Sequence, residues 1–361
     1  MPFELNEKLK YLTPYDPIDG DYPVRLDANE SFLPTTQAEL EVLQTAARHI
    51  DMRRYPDPNA IDLCRAAGAY YGVAPELLTA ANGSDELLFL IAAAFLGDGK
   101  TMLHFALDFS MYRFYANLTG AKCVALPKRA DCVIDADLVV NALREHKPNV
   151  FIFSNPCNPT GLVLERGAVR KILSAAAEVN TLAVLDEAYM DFSDQSLLGE
   201  ASAYDHLIIL RTASKAVGLA GLRLGFAVAN PTLTNLLHAV KSPYNLGAHT
   251  QLMGRLLFQN TAIRQGIDAI IASRNALWSA LEICLRNGGC GQYKLYIPSA
   301  NFIFMDLFKQ SRADGAFAYL KQNGVIVRHI GQYLRVTAGS KTENAAFLAA
   351  WRNYLELNEK V

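Results

Sequence analysis

The sequence has no apolar run long enough to cross a membrane. Its longest apolar stretch in a helical context, Leu87 to Leu96, is about half of what a span needs. Neither charge is in excess: 34 Lys and Arg stand against 36 Asp and Glu, a formal net charge of −2. Nothing in that balance draws the chain to nucleic acid, and no basic helix-turn-helix segment is present near its start. The six cysteines (64, 123, 132, 157, 284 and 290) show no close paired spacing, so no metal centre is expected. Met1–Lys8 lacks the basic and apolar regions of a signal peptide. Reduced thiols and a cytoplasmic location are therefore expected. No repeat or low-complexity tract is evident. What is there is a 361-residue chain, 51% hydrophobic and 19% charged, enough for two globular domains or a large and a small one.

Residues 1–35, rich in Pro, Tyr, Asp and Asn, read as an extended arm with turns at 11–15 and 17–20. A polar arm of this length needs another surface to lie on. Helices are expected over 40–50, 60–71 and 87–96, the last capped by Ser84 or Asp85. Strands over 101–105, 122–126, 150–153, 182–185 and 207–210 then alternate with helices over 111–119, 135–145 and 167–179, and 226–229 reads as one more strand. This rhythm predicts an α/β fold whose large domain holds a mainly parallel sheet between helices. A helix over 233–240 and a long helical stretch over 250–286 with a possible break, ended by Gly288–Gly291, come next. Strands near 292–297, 301–305, 325–327 and 334–337, with helices near 315–322 and 343–357, suit a smaller α+β domain. The expected division is 1–45 for the arm and part of the small domain, 46–245 for the large domain and 246–361 for the C-terminal small domain.

The chain is organised around Thr212–Gly225. Lys215 leaves a buried strand at its end, flanked by the hydroxyls of Thr212 and Ser214, with Arg223 close behind. Strand ends of this kind are where α/β proteins bind ligands. A poorly solvated lysine has a lowered pKa and becomes a nucleophilic amine, able to form a Schiff base with an aldehyde. Hydroxyls and an arginine nearby suit a phosphate. Gly83 and Ser84, opening an apolar helix, offer free amides to an anion. A Schiff-base lysine beside a phosphate site points to pyridoxal phosphate (PLP). Asp186 is an acid that is costly to bury without a cation. It could pair with the pyridinium nitrogen of PLP and keep the ring an electron sink. Tyr189 and Asn158 could hydrogen-bond the ring oxygen. Taken singly, these segments also read as a surface lysine, a capped core helix, a structural acid and a turn asparagine. All of them in this order around Lys215 favour the joint reading.

Asn158-Pro-Thr-Gly161, Asp186-Glu-Ala-Tyr189 and Ser214-Lys215 with Arg223 match, in order and spacing, the signatures of one family. The chain resembles the fold-type I PLP-dependent aminotransferases of class I/II over nearly its whole length. Within that group it is most similar to the histidinol-phosphate aminotransferases, through Pro14-Tyr15, Leu26-Asp-Ala-Asn-Glu30, Gly83-Ser-Asp-Glu86, Leu185-Asp-Glu-Ala-Tyr189 and the run 214–225. The resemblance implies an aspartate aminotransferase-like fold, with the small domain built from both termini. It implies amino transfer to 2-oxoglutarate, with Lys215 forming the internal aldimine and shuttling the proton. It places Asp186 on the pyridine nitrogen, and Tyr189 and Asn158 on the ring oxygen. Gly83, Ser84, Asp85, Thr212, Ser214 and Arg223 fall to the cofactor phosphate end, and Phe109 stacks on the ring. Tyr55 reaches the phosphate of the partner subunit's cofactor, so a homodimer with shared active sites is implied. Arg335 grips the acidic end of the substrate, with Arg328 assisting and Tyr15 and Asn29 on the substrate side.

Some positions depart from the family pattern. Leu107 stands for a proline, Asp108 precedes the stacking aromatic, Cys157 replaces a frequent asparagine, and the arginine motif ends Ala338-Gly339-Ser340. These departures bear on substrate choice and leave the PLP constellation intact. A broad or aromatic amino-acid aminotransferase, or a PLP-dependent decarboxylase of a phosphorylated amino acid, is the alternative within the fold. A silent cofactor-binding regulator is the alternative outside it, and the presence of Lys215, Asp186, Tyr189 and Arg223 argues against that.

Overall fold

The computed structural model describes residues 18–259, 262–286 and 293–358, together with residue 9. Expectations on residues 11–17, Tyr15 among them, and on 288–291 lie outside the described residues. The elements run β1 (Val24–Leu26), α1 (Gln37–His49), α2 (Ile61–Tyr71), β2 (Leu78–Ala81), α3 (Ser84–Phe95), β3 (Thr101–Phe105), α4 (Met111–Thr119), β4 (Lys122–Leu126), α5 (Ala136–His146), β5 (Val150–Ser154), α6 (Arg166–Glu178), β6 (Leu182–Asp186), β7 (Leu207–Thr212) and β8 (Gly225–Ala229). They continue with α7 (Pro231–Val240), α8 (Ala248–Phe258), α9 (Ala262–Arg286), β9 (Lys294–Leu295), β10 (Phe302–Asp306), α10 (Gln310–Gln322), β11 (Val325–Ile330), β12 (Tyr333–Thr337) and α11 (Lys341–Asn358).

The larger sheet has seven strands in the order β2-β8-β7-β6-β5-β3-β4. Strands β3 to β7 run parallel to one another, β8 pairs antiparallel with β7, and β2 pairs antiparallel with β8. Strands β5, β6 and β7 are buried at every position, as strands covered on both faces must be. Successive residues feed opposite faces. Phe151, Phe153, Leu185 and Ile209 enter one core, while Ile152, Val184, Ile208 and Leu210 enter the other. The helices over these faces start where short polar side chains cap them. Asp135 accepts from the amides of Asp137 and Leu138 at α5, and Asn230 accepts from Leu233 at α7, with Pro231 behind it.

The smaller sheet has five strands in the order β1-β11-β12-β10-β9, so both ends of the chain build it. Ile303, Met305, Leu334 and Val336 pack with Phe347 and Trp351 of α11. The alternate residues, Phe302, Phe304, Arg335 and Thr337, take the other face, and Phe302 belongs to the core of the large sheet. Helix α9 bridges the two bodies. Ile267 and Ile270 pack in the large core and Leu277 and Leu281 in the small one, so core membership changes inside α9. The sequence reading divides the domains near 245.

Three local details sharpen or correct the sequence reading. Strands β1 and β2 are only 3 and 4 residues long, too short for a periodicity, and the sequence reading leaves them as arm and loop. The break allowed for in the helical stretch over 250–286 is there: the stretch is two helices, α8 and α9. Neither Ser84 nor Asp85 caps α3: the cap position is Gly83, at φ 84°, and no side chain caps the helix from there.

Candidate active site

The carboxyl ends of β5, β6 and β7 are in register. Ser154 lies opposite Asp186, and Asp186 opposite Leu210. Residues just past these ends therefore share one edge of the sheet, where open α/β sheets bind their ligands. Asn158, Asp186, Tyr189 and Lys215 all gather there.

Asp186 is 4% exposed. Its carboxylate accepts from the Tyr112 hydroxyl at 2.7 Å and from the Ala188 amide at 3.0 Å. Burial pushes its carboxyl up to about 6, although both hydrogen bonds pull the other way. No cation pairs with it among the described residues. Tyr112, on α4, is the site residue the sequence reading missed. It lies in the quoted segment Phe109-Ser-Met-Tyr112, one helical turn past Phe109, and the two rings meet edge-on at 5.6 Å. That spacing was the available signal.

The Lys215 ammonium donates to the Ala28 carbonyl at 2.8 Å. Its pKa falls to about 8, first through burial and then through the positive charge of Arg335. A substantial fraction of a free amine at mild pH follows. Thr212 Oγ1 accepts from the Ser214 amide at 3.2 Å, and both side chains are buried beside the lysine.

At the start of α3, Gly83 makes room for Arg223. A Cβ on Gly83 would lie 2.6 Å from the Arg223 guanidinium. Arg223, itself at φ 52°, also pairs with Asp85 at 3.2 Å. Helix amides not covered by a side chain, beside a guanidinium, form an anion cradle.

On the facing sheet, Arg335 is buried. It donates to Asn158 Oδ1 at 2.5 Å and to the Asp27 carbonyl at 2.6 Å, and lies 5.3 Å over the Phe302 ring. Arg328 is its direct cross-strand partner. The two guanidinium side chains therefore leave the same face of the small sheet. Asn29, 1% exposed, donates to the Tyr189 hydroxyl at 2.8 Å, so its amide is already engaged within the protein.

Tyr55 stands apart from this cluster. It is 82% exposed and stacks on Tyr244 at 4.5 Å. The departures at Leu107 and Cys157 turn out to be neighbours through Lys128, which donates to the Leu107 carbonyl at 2.7 Å and sits 2.8 Å from Cys157 Sγ. Asp108 accepts from Ser154 Oγ and from the Phe109 amide. Ser340 is a helix cap: it exchanges hydrogen bonds with Glu343 at the start of α11. Its departure from the family pattern therefore has a local structural role.

The site edge combines an amine of lowered pKa, a buried acid lacking a cation, an anion cradle and a facing arginine pair. The profile of the aminotransferase class I and II family matches residues 23–350. A histidinol-phosphate aminotransferase of Clostridium novyi (strain NT) is 34% identical over 342 residues, 93% of this chain and 93% of that protein. The structure of histidinol-phosphate aminotransferase from Sinorhizobium meliloti in complex with pyridoxal-5'-phosphate superposes with a TM-score of 0.85 at 22% identity, covering 93% of this chain and 92% of that one. A double mutant of Thermus thermophilus aspartate aminotransferase superposes with a TM-score of 0.83 at 19% identity, over 98% and 100% of the two chains. The chain belongs to the aminotransferase class I and II family. Its fold is aspartate aminotransferase-like, and it is a PLP-dependent transferase of amino groups.

Proposed function

We propose that this protein moves an amino group between histidinol phosphate and 2-oxoglutarate, using PLP held at the edge of the large sheet. The residues fit that cofactor. Lys215 offers an amine to the aldehyde, the α3 cradle with Arg223 suits the phosphate, and Asp186 lacks the cation that a protonated ring nitrogen would supply. When bound, PLP provides the electron sink for a carbanion at the substrate's reacting carbon. Around it, Lys215 would hold and move the proton, Asp186 would face the ring nitrogen, and Tyr189 and Asn158 would orient the ring oxygen. Phe109 supports the ring, and Thr212 and Ser214 complete the phosphate end. We also read the protein as a homodimer. The exposed Tyr55–Tyr244 stack supports this, as an apolar surface that a partner would cover.

The observation that carries the substrate reading is the Arg328–Arg335 pair. Both substrates bring an anion, a carboxylate in one and a phosphate in the other. A guanidinium binds either through paired hydrogen bonds. The test is a donor panel with 2-oxoglutarate, run on wild type and Arg335→Ala. Histidinol phosphate should outperform histidinol and aromatic amino acids. The variant should raise KM for both substrates about ten- to hundredfold, the loss of about 1.5–3 kcal/mol of charge-assisted bonding. If histidinol phosphate is no better than an aromatic amino acid, the donor is not read through its phosphate.

A further inference from the structure

Asn29 is the middle link of a chain of hydrogen bonds whose directions can be assigned one by one. It follows β1 of the small sheet and has a left-handed backbone, φ 55°. Its backbone amide donates to Thr337 Oγ1 at 3.0 Å. That hydroxyl carries a single proton, which goes to Asn29 Oδ1 at 3.1 Å. With its oxygen fixed toward Thr337, the side-chain amide must present its NH2 to Tyr189, and the Tyr189 oxygen accepts from it at 2.8 Å. The Tyr189 hydroxyl proton must therefore point elsewhere, and no acceptor takes it among the described residues. Asn301 holds the same segment by donating to the Asn29 carbonyl at 3.1 Å. The two ends belong to different bodies: Thr337 lies on β12 of the small sheet, and Tyr189 just past β6 of the large one.

We propose that Asn29 is a positioning residue that fixes Tyr189 as a hydrogen-bond donor into the site and ties that donor to the position of the small sheet. The inference rests on the proposed PLP site, where the acceptor would be the ring oxygen. A donor to that oxygen stabilises its negative charge and weakens its hold on the proton of the nitrogen joining Lys215 to the cofactor. Charged or titratable neighbours of Tyr189 are Asp186 from β6, Arg335 from β12 and Cys157 from the segment after β5. All of them remain in the variants below.

The test is the pH midpoint of the visible colour change of the PLP-loaded protein, with thermal stability measured alongside. Asn29→Gly removes the amide while keeping a residue at ease at φ 55°. Losing one oriented hydrogen bond should raise the midpoint by about 0.5–1 pH unit. Asn29→Asp keeps the shape but places an acceptor on Tyr189, turning its proton away from the site, and should raise the midpoint at least as far. Thr337→Val frees the amide to turn over and should give a smaller rise. Combined with Asn29→Gly it should add nothing further, because both act through one chain of bonds. A merely structural Asn29 would lower the melting temperature and leave the midpoint alone, and that result overturns the inference. A wild-type protein that never develops the coloured band with PLP would overturn the cofactor reading itself.

Discussion

Asp186 and Glu187 are adjacent carboxylates that leave the same strand end in opposite directions. Asp186 faces the site edge, held by a tyrosine hydroxyl and one amide. Glu187 is 0% exposed and turns inward. It meets Arg211 of β7 at 3.1 Å, and that arginine also reaches Asp191 at 2.9 Å. Burial alone would pull Arg211 down, but Asp191 and Glu187 beside it outweigh this and raise it. Ser196 Oγ and the Leu197 amide satisfy the remaining oxygen positions of Glu187. One acid is thus given its cation by the protein, although burial still holds its carboxyl above the usual range. The other is left at a cost: lifting its pKa to about 6 corresponds to on the order of 3 kcal/mol of instability when it is ionised. A fold tolerates such an acid when a bound group supplies the missing cation. Burial and residue type are alike for the two, and the partner tells structure from function.

The comparison can be broken from either side. The largest effect should come from the inward acid's partner. Arg211→Ala leaves Glu187 and Asp191 buried without their cation and should lower the unfolding free energy by about 3–5 kcal/mol. Denaturant unfolding of the cofactor-free protein reads this directly. A loss below about 1 kcal/mol would mean that the inward cluster is no more structural than the outward acid. A smaller effect belongs to the site side. Lys215, with its pKa lowered to about 8, reacts as the free amine, so its reactive fraction grows as pH rises through that value. The rate at which cofactor-free protein takes up PLP should rise between roughly pH 7 and 9 and then level. A rate that keeps climbing to the ordinary lysine range near pH 10.4 would show that the amine is not desolvated.

The sequence made the site edge legible because each element of its chemistry demands a residue type at a strand end. Lys215, Asp186 and Arg223 could be picked out on those grounds, and the parallel strands by their apolar runs. Tyr112 was harder to find, because a tyrosine on an amphipathic helix reads as core until its hydroxyl is seen against Asp186. The engagement of Asn29 with Thr337, far away in the chain, has no local signature at all. The short strands β1 and β2 exist through pairing with β11 and β8, not through their own composition. Gly83 reads in the sequence as room for a ligand; in the structure the group that a Cβ there would meet is an arginine from another segment.

The central claim is that Asp186 is kept ionisable and unpaired for the cofactor. Asp186→Asn tests it most directly when amino-transfer turnover and the unfolding free energy of the cofactor-free variant are measured together. The amide keeps the Tyr112 contact and removes a buried charge. Because the folded-state pKa is raised, the ionised acid costs stability above about pH 6, and the cost fades as pH falls toward the unfolded value near 4. The variant should therefore be more stable than wild type at pH 7.5, with that advantage about halved at pH 5 and gone near pH 4, while turnover falls by orders of magnitude. Near-normal turnover, or a loss of stability comparable to that of Arg211→Ala, would contradict the account and make Asp186 a structural acid like its neighbour.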